Sequence, residues 1–221
     1  MYVFLNGGGA GEQTKSARAC LYRVVDHAKP CLYIPLAMEP ERYAGCRDWI
    51  AGELADIKLS GIDMVCSGEE LAGADLSRYS MLFLGGGNTF RLLRELKQYG
   101  AFTRIREYLR NGGILLGGSA GAIVCGYDLE SCVLEYENTV GLTDITGLNL
   151  LQGTSVLCHY GNHTPEKDSV SRKYLLELSQ YRKTYALPEE VTLFITENSM
   201  KAIGDRPYFL FSDGAETVLY P

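Results

Sequence analysis

The chain predicts an α/β fold: a doubly wound, mostly parallel sheet flanked by helices, with antiparallel strands near the C-terminus. Three observations carry that prediction. Short apolar runs alternate with stretches of helical periodicity as far as residue 125, the pattern of a parallel sheet covered on both faces. Glycine-rich loops at 85–87 and 117–121 follow two of these runs, and ligands in such sheets bind at the carboxyl ends of strands. The second loop, Gly117-Gly118-Ser119-Ala120-Gly121, is a G-x-S-x-G stretch. It lies between the apolar run Gly113 to Leu116 and Ala122 to Cys125, which reads as strand, sharp turn, helix.

Taken in order, Tyr2 to Leu5 is a short buried strand running into the loop Asn6-Gly7-Gly8-Gly9. A helix is predicted from Thr14 to Ala28, with Ala17, Cys20, Leu21, Val24, Val25 and Ala28 on its apolar face. Cys31 to Ile34 is the second strand, stopped by Pro35. Tyr43, Cys46, Ile50, Leu54 and Ile57 line the next helix. Ile62 to Cys66 and Met81 to Leu84 are strands, and helical stretches follow at Leu92 to Lys97 and Phe102 to Leu109. Past the serine turn the pattern loosens, and residues 127–153 read as a hairpin with loops. Ser155 to Cys158 is a strand, 166–180 a helix, and Tyr185 to Leu187 a brief strand. Residues 191–196, 200–203 and 217–220 are strand-like and separated by turn residues, which predicts an antiparallel sheet edge. No repeat or linker interrupts the chain, so residues 1–221 are expected to form one domain.

Composition narrows the classes. Hydrophobic residues make up 46% and charged residues 22%, as in ordinary globular proteins. The net charge of −6, with scattered Lys and Arg, argues against nucleic acid as the main partner. No apolar run approaches a membrane span, and the N-terminus has no signal-peptide pattern. The 7 cysteines are scattered without a C-x-x-C pair, which fits reduced thiols and a cytoplasmic protein and gives no zinc site.

A serine hydroxyl needs a base before it attacks a carbonyl. Of 3 histidines, His27 reads as a cation near a helix end, whereas His159 and His163 follow the strand 155–158 at its carboxyl end. His159, closer to the strand, is the first candidate base and His163 the second. A carboxylate must orient the base; Glu189 follows a strand end, with Glu190, Asp128, Glu137 and Asp144 as rivals. An oxyanion hole needs two backbone donors. The N–H of Ala120 supplies one, and that of Gly86 or Gly87 the other.

Gly85-Gly86-Gly87-Asn88-Thr89-Phe90, then Gly118-Ser119-Ala120-Gly121-Ala122, Cys158-His159-Tyr160 and Leu187-Pro188-Glu189 come in one order along the chain. Together they resemble the dipeptidase E (aspartyl dipeptidase) family of serine peptidases. That family is similar to the class I glutamine amidotransferase fold, with serine replacing cysteine at the turn. The resemblance implies that Ser119 is the nucleophile, His159 the base and Glu189 the third member, with no metal or organic cofactor. It implies a small peptide substrate. Asn88, Thr89, His163 and Arg172 are the candidate substrate-binding residues, His163 being one that the resemblance does not explain. The family's preference for N-terminal aspartate calls for a basic group, for which Arg172 and Lys173 are nearest. Related cyanophycinases share the same serine turn, and a silent member that only binds is the other alternative. Gly9 to Ser16 nearly matches a P-loop but has Thr14 at the second glycine position, which argues against nucleotide binding.

Overall fold

In the computed structural model, which describes residues 1–221, the first five strands are parallel neighbours. They are β1 (Tyr2–Asn6), β2 (Cys31–Ile34), β3 (Ile62–Met64), β4 (Met81–Leu84) and β5 (Ile114–Gly118). Four more follow: β6 (Thr154–Leu157), β7 (Lys183–Ala186), β8 (Thr192–Thr196) and β9 (Met200–Ile203). The last two are β10 (Tyr208–Ser212) and β11 (Ala215–Leu219). The main sheet has the order β3-β2-β4-β5-β1-β8-β9, with β8 antiparallel to β1 and β9 antiparallel to β8.

Helices cover both faces of this sheet, as alternation within β1 requires. Phe4 faces α1 (Lys15–Tyr22) and α2 (Tyr43–Glu53), in a cluster with Leu21, Cys46 and Ile50. Val3 and Leu5 face the other side. There α3 (Gly68–Gly73), α4 (Thr89–Gln98), α5 (Ala101–Arg110) and α6 (Ala120–Ile123) supply Leu71, Leu92, Leu93, Ile105 and Ile123. Each such side chain, fully removed from water, contributes about 1.5–3 kcal/mol. No helix is long and apolar enough to cross a membrane.

The chain departs from the sequence reading in five places. First, β10 and β11 do not extend the edge of the main sheet. They join β7 and β6 in a second sheet of order β11-β10-β7-β6, in which β6 and β7 are parallel. The strand that carries His159 is therefore in a different sheet from the serine turn. Second, β10 is an additional strand; Asp213 and Gly214, both at positive φ (54° and 75°), form the tight hairpin that pairs it with β11. Third, α1 ends at Tyr22, not Ala28. The branched Val24 and Val25 and the turn-forming Asp26, whose carboxylate accepts from the Ala28 N–H, disfavour another helical turn. Fourth, residues 127–153 contain turns and a single antiparallel bridge, Asp128 to Thr146, with no hairpin. Fifth, α3 is a short helix capped by Ser67, whose hydroxyl accepts from the Glu70 N–H.

The larger core runs without a break from α4 and α6 into the second sheet through Val156, Leu157, Ala186 and Phe211. That shared core fixes β6 and β7 against β1 and β5. The remaining helix, α7 (Pro165–Leu178), links β6 to β7 as a crossover.

Candidate active site

Ser119 leaves β5 in a backbone conformation that few non-glycine residues adopt, φ 51° and ψ −111°. Such a position costs on the order of 1–3 kcal/mol and persists only where its surroundings fix it. The Ser119 N–H donates to the Asn6 carbonyl at 3.2 Å, tying the turn to the end of β1. The flanking glycines allow the close approach. A Cβ on Gly117 would stand 2.6 Å from the Gly121 carbonyl oxygen, and one on Gly121 2.0 Å from that of Leu84. The start of α6 follows at once.

Ser119 Oγ lies 2.8 Å from His159 Nε2, and His159 Nδ1 lies 2.9 Å from Glu189 Oε1. Residues far apart in sequence thus form one unbroken hydrogen-bonded chain across the two sheets. β5 delivers the serine, the end of β6 the histidine, and the end of β7 the glutamate. An ionised carboxylate can only accept, so the His159 proton sits on Nδ1 and Nε2 accepts from the serine hydroxyl. Partial burial pushes the Glu189 carboxyl up. Hydrogen bonds from His159 and Gln13 outweigh it, and the net shift is downward, so the group stays ionised at neutral pH.

The imidazole is held by the loop after β1, whose role the sequence reading missed. The Gly7 carbonyl accepts from the His159 N–H at 2.9 Å. Gly8 lies flat against the ring, and a Cβ there would stand 2.1 Å from His159 Cε1. Asn6 Oδ1 accepts from the Gly8 N–H at 2.8 Å and shapes this loop. Glu189 is held further: Gln13 Nε2 donates to its other carboxylate oxygen at 3.1 Å, its N–H donates to Asn162 Oδ1 at 3.0 Å, and its carbonyl accepts from the Gly9 N–H at 3.1 Å. The three consecutive glycines at the end of β1 were the available signal, because a side chain at each would collide with Pro188, His159 or Glu189. Tyr136, whose hydroxyl is 3.4 Å from Ser119 Oγ, gave no signal. Burial raises its pKa to about 12, so it remains a phenol.

The other candidates scatter. Gly86 abuts the serine, since a Cβ there would be 3.8 Å from Ser119 Oγ, whereas Gly87 packs on Ala37. The N–H groups of Gly86, Gly87 and Ala120 donate to no acceptor in the protein. Asn88 caps α4 and holds the Glu137 carbonyl, and Thr89 is wholly buried, so neither side chain is free for a ligand. His163 Nε2 lies 3.3 Å from Glu135, which also holds Lys167 and Ser171. Arg172 pairs with Glu216 at 2.6 Å. Of the rival acids, Glu190 pairs with Arg206, Asp128 with Arg182 and Asp144 with Lys97. Lys15 pairs with Glu12 beside a 3-10 turn at Gly11–Thr14, where a phosphate-cradling loop would need open backbone. A cavity of about 600 Å³ is lined by Gly8, Gly86, Gly118 and Ser119 at one end.

Comparison with known proteins places the chain among peptidases. An uncharacterized peptidase of Listeria monocytogenes is 33% identical over 122 residues, covering 54% of this chain and 58% of that protein. The chain thus spans less than two thirds of the length of that relative. A peptidase E of Nostoc sp. is 28% identical over 202 residues, covering 87% of this chain and 79% of its own. A crystal structure of a Listeria monocytogenes EGD-e protein described as a candidate peptidase E superposes with a TM-score of 0.74 at 25% identity, over 92% of this chain and 98% of that one. The profile of Peptidase family S51 matches residues 3–203, and the chain belongs to that family.

Proposed function

We propose that the protein is a serine peptidase that hydrolyses small peptides through Ser119, His159 and Glu189, the two sheets acting as one catalytic unit. The observation that carries this reading is the continuous relay, 2.8 Å from serine to imidazole and 2.9 Å from imidazole to carboxylate. His159 Nε2 takes the hydroxyl proton as Ser119 Oγ attacks the scissile carbonyl. The oxyanion that forms is held by the Ala120 N–H and by that of Gly86, both without other acceptors. His159 then passes the proton to the leaving amine. Water, deprotonated by the same nitrogen, releases the acyl group and restores the hydroxyl. Glu189 stabilises the charged imidazole throughout.

An aspartyl preference, which the family resemblance implies, would need a free cation beside the acyl group. Arg172 and His163 are both engaged by carboxylates, which weighs against them in that role. The test of the reaction is a fluorophosphonate probe. It should label Ser119 in the wild type, and Ser119→Ala should remove the label while the circular dichroism spectrum is preserved. A folded wild type that resists the probe and cleaves no dipeptide would end this reading.

A further inference from the structure

We propose that Tyr136 is a further catalytic residue, its hydroxyl donating to Ser119 Oγ as charge gathers on that oxygen, and that Asn88 positions it by clipping down the strap on which it sits. This rests on the serine-peptidase reading and adds to it a group outside the relay of serine, histidine and glutamate.

Proton counting gives the direction of the contact. Ser119 Oγ carries one proton, and that proton goes to His159 Nε2 at 2.8 Å, because Glu189 fixes the ring proton on Nδ1. Toward Tyr136 the serine oxygen can therefore only accept, and the phenol O–H, 3.4 Å away, is the donor. Burial pushes the Tyr136 pKa up to about 12, so this donor keeps its proton. Its ring packs on the main core, a task that phenylalanine would do as well. The hydroxyl oxygen is spent on Ser119 alone.

At 3.4 Å the contact is weak while Oγ is a neutral hydroxyl. It strengthens at the two moments that limit the rate. As the Oγ–H bond breaks toward Nε2 and the Oγ–C bond forms, Oγ holds an electron pair without its full proton. When water releases the acyl group, the C–Oγ bond breaks, its electron pair returns to Oγ, and His159 gives that oxygen a proton. Both steps put partial negative charge on Oγ, and a donor aimed there stabilises them more than the resting enzyme. Catalytic hydrogen bonds are commonly long before substrate arrives and tighten in the transition state. Tyr136 transfers no proton in either step.

Tyr136 lies outside any helix or strand, so its place is set by its neighbours. The N–H groups of Glu135 and Tyr136 both donate to the carbonyl of buried Cys132, at 2.9 and 3.1 Å. On one side of the phenol, the Glu135 carboxylate accepts from Ser171 at 2.8 Å and pairs with Lys167 at 2.5 Å, both on α7. On the other side, the Glu137 carbonyl accepts from Asn88 Nδ2 at 2.9 Å. Asn88 is also the cap of α4, its Oδ1 accepting from the Arg91 N–H at 3.0 Å, and it stands two residues beyond Gly86. Residues 135–137 are thus a strap fastened at both ends, and the side chain between the fastenings is the one that reaches the nucleophile. Asn88 acts through Tyr136 and is a positioning residue.

The test is the second-order rate constant for fluorophosphonate labelling of Ser119, which reads attack by Oγ without requiring a peptide to be recognised. Tyr136→Phe removes one oxygen and orphans no other group. It should slow labelling by about 10- to 100-fold and lower kcat on a dipeptide by a similar factor, with KM within about twofold of wild type. The acid limb of the pH–rate profile, set by His159, should not move. Asn88→Ser keeps a good cap on α4 but is too short to reach the Glu137 carbonyl. It should slow labelling by about three- to tenfold in the wild type and have no further effect in Tyr136→Phe. Circular dichroism checks each fold, and if Tyr136→Phe does not fold, Asn88→Ser alone decides. Labelling at the wild-type rate in a folded variant overturns the proposal and leaves the serine-peptidase reading standing. So does a loss confined to KM, which would make the phenol a peptide-binding group, or a displaced acid limb, which would put its effect on His159. Equal slowing by Asn88→Ser in both backgrounds overturns the positioning role of Asn88. A wild type that takes no label and cleaves no dipeptide removes the serine-peptidase reading and this inference with it.

Discussion

His159 is fixed from three directions: its N–H on the Gly7 carbonyl, its Nδ1 on Glu189, and its ring face on Gly8. The third contact gives a sharp prediction. Gly8→Ala places a methyl where the ring now is, and its φ of 115° strains any side chain as well. The variant should fold but lose about 100-fold in kcat on a dipeptide substrate, because displacing a catalytic group by an ångström has costs of that order. Steady-state kinetics beside the wild type decide it. At this scale the sequence pointed to Ser119, His159 and Glu189, which the structure brings into one hydrogen-bonded chain and which the proposed function uses as nucleophile, base and orienting acid. It was silent on Gln13, Asn162 and Tyr136, and it marked Gly8 only as one of three consecutive glycines. Amides are common in loops, and only proximity in space gives them a role.

Among elements, the strands were legible where they are buried on both faces. Apolar runs such as Cys31 to Ile34 and Met81 to Leu84 have no other stable home. Legibility failed where local chemistry was overruled or missed: α1 stops six residues before the predicted Ala28, and β10 follows a proline in an unbroken apolar run without alternation. Helix α7 begins with Thr164 as cap and Pro165 in its first turn, and Thr164 accepts from the Lys167 N–H. It carries Lys167 and Ser171 to Glu135. Thr164→Ala should reduce unfolding free energy by about 1 kcal/mol in urea titration, the usual worth of such a cap. A value near zero would mean that the first turn is held by Pro165 alone.

Across the whole molecule, acid sensitivity follows from the half-buried carboxylates of Glu135 and Glu189. Burial raises the Glu135 carboxyl, but hydrogen bonds from Lys167 and Ser171 and the nearby His163 bring it below its ordinary value of 4.5. Glu189 is displaced in the same direction. For a depressed carboxylate the stabilisation is complete above the unfolded-state value and disappears as pH falls through the folded-state one. The urea midpoint should therefore drop between pH 6 and pH 3, and the drop should shrink in Glu135→Gln. An equal drop in the two proteins would show that other groups set the acid limit. The general α/β architecture was readable from alternation alone, but the division into two sheets was not. Nothing local distinguishes a strand that joins β1 from one that joins β7.

That division orders events during synthesis. On the proposed reading, a ribosome releases the hydroxyl-bearing turn well before the imidazole, and the carboxylate later still. One of the two strands that pair with β7, β10, also follows Glu189 in the chain. A nascent polypeptide therefore holds an inert alcohol until translation has passed residue 189, and it is harmless to its neighbours for most of its elongation.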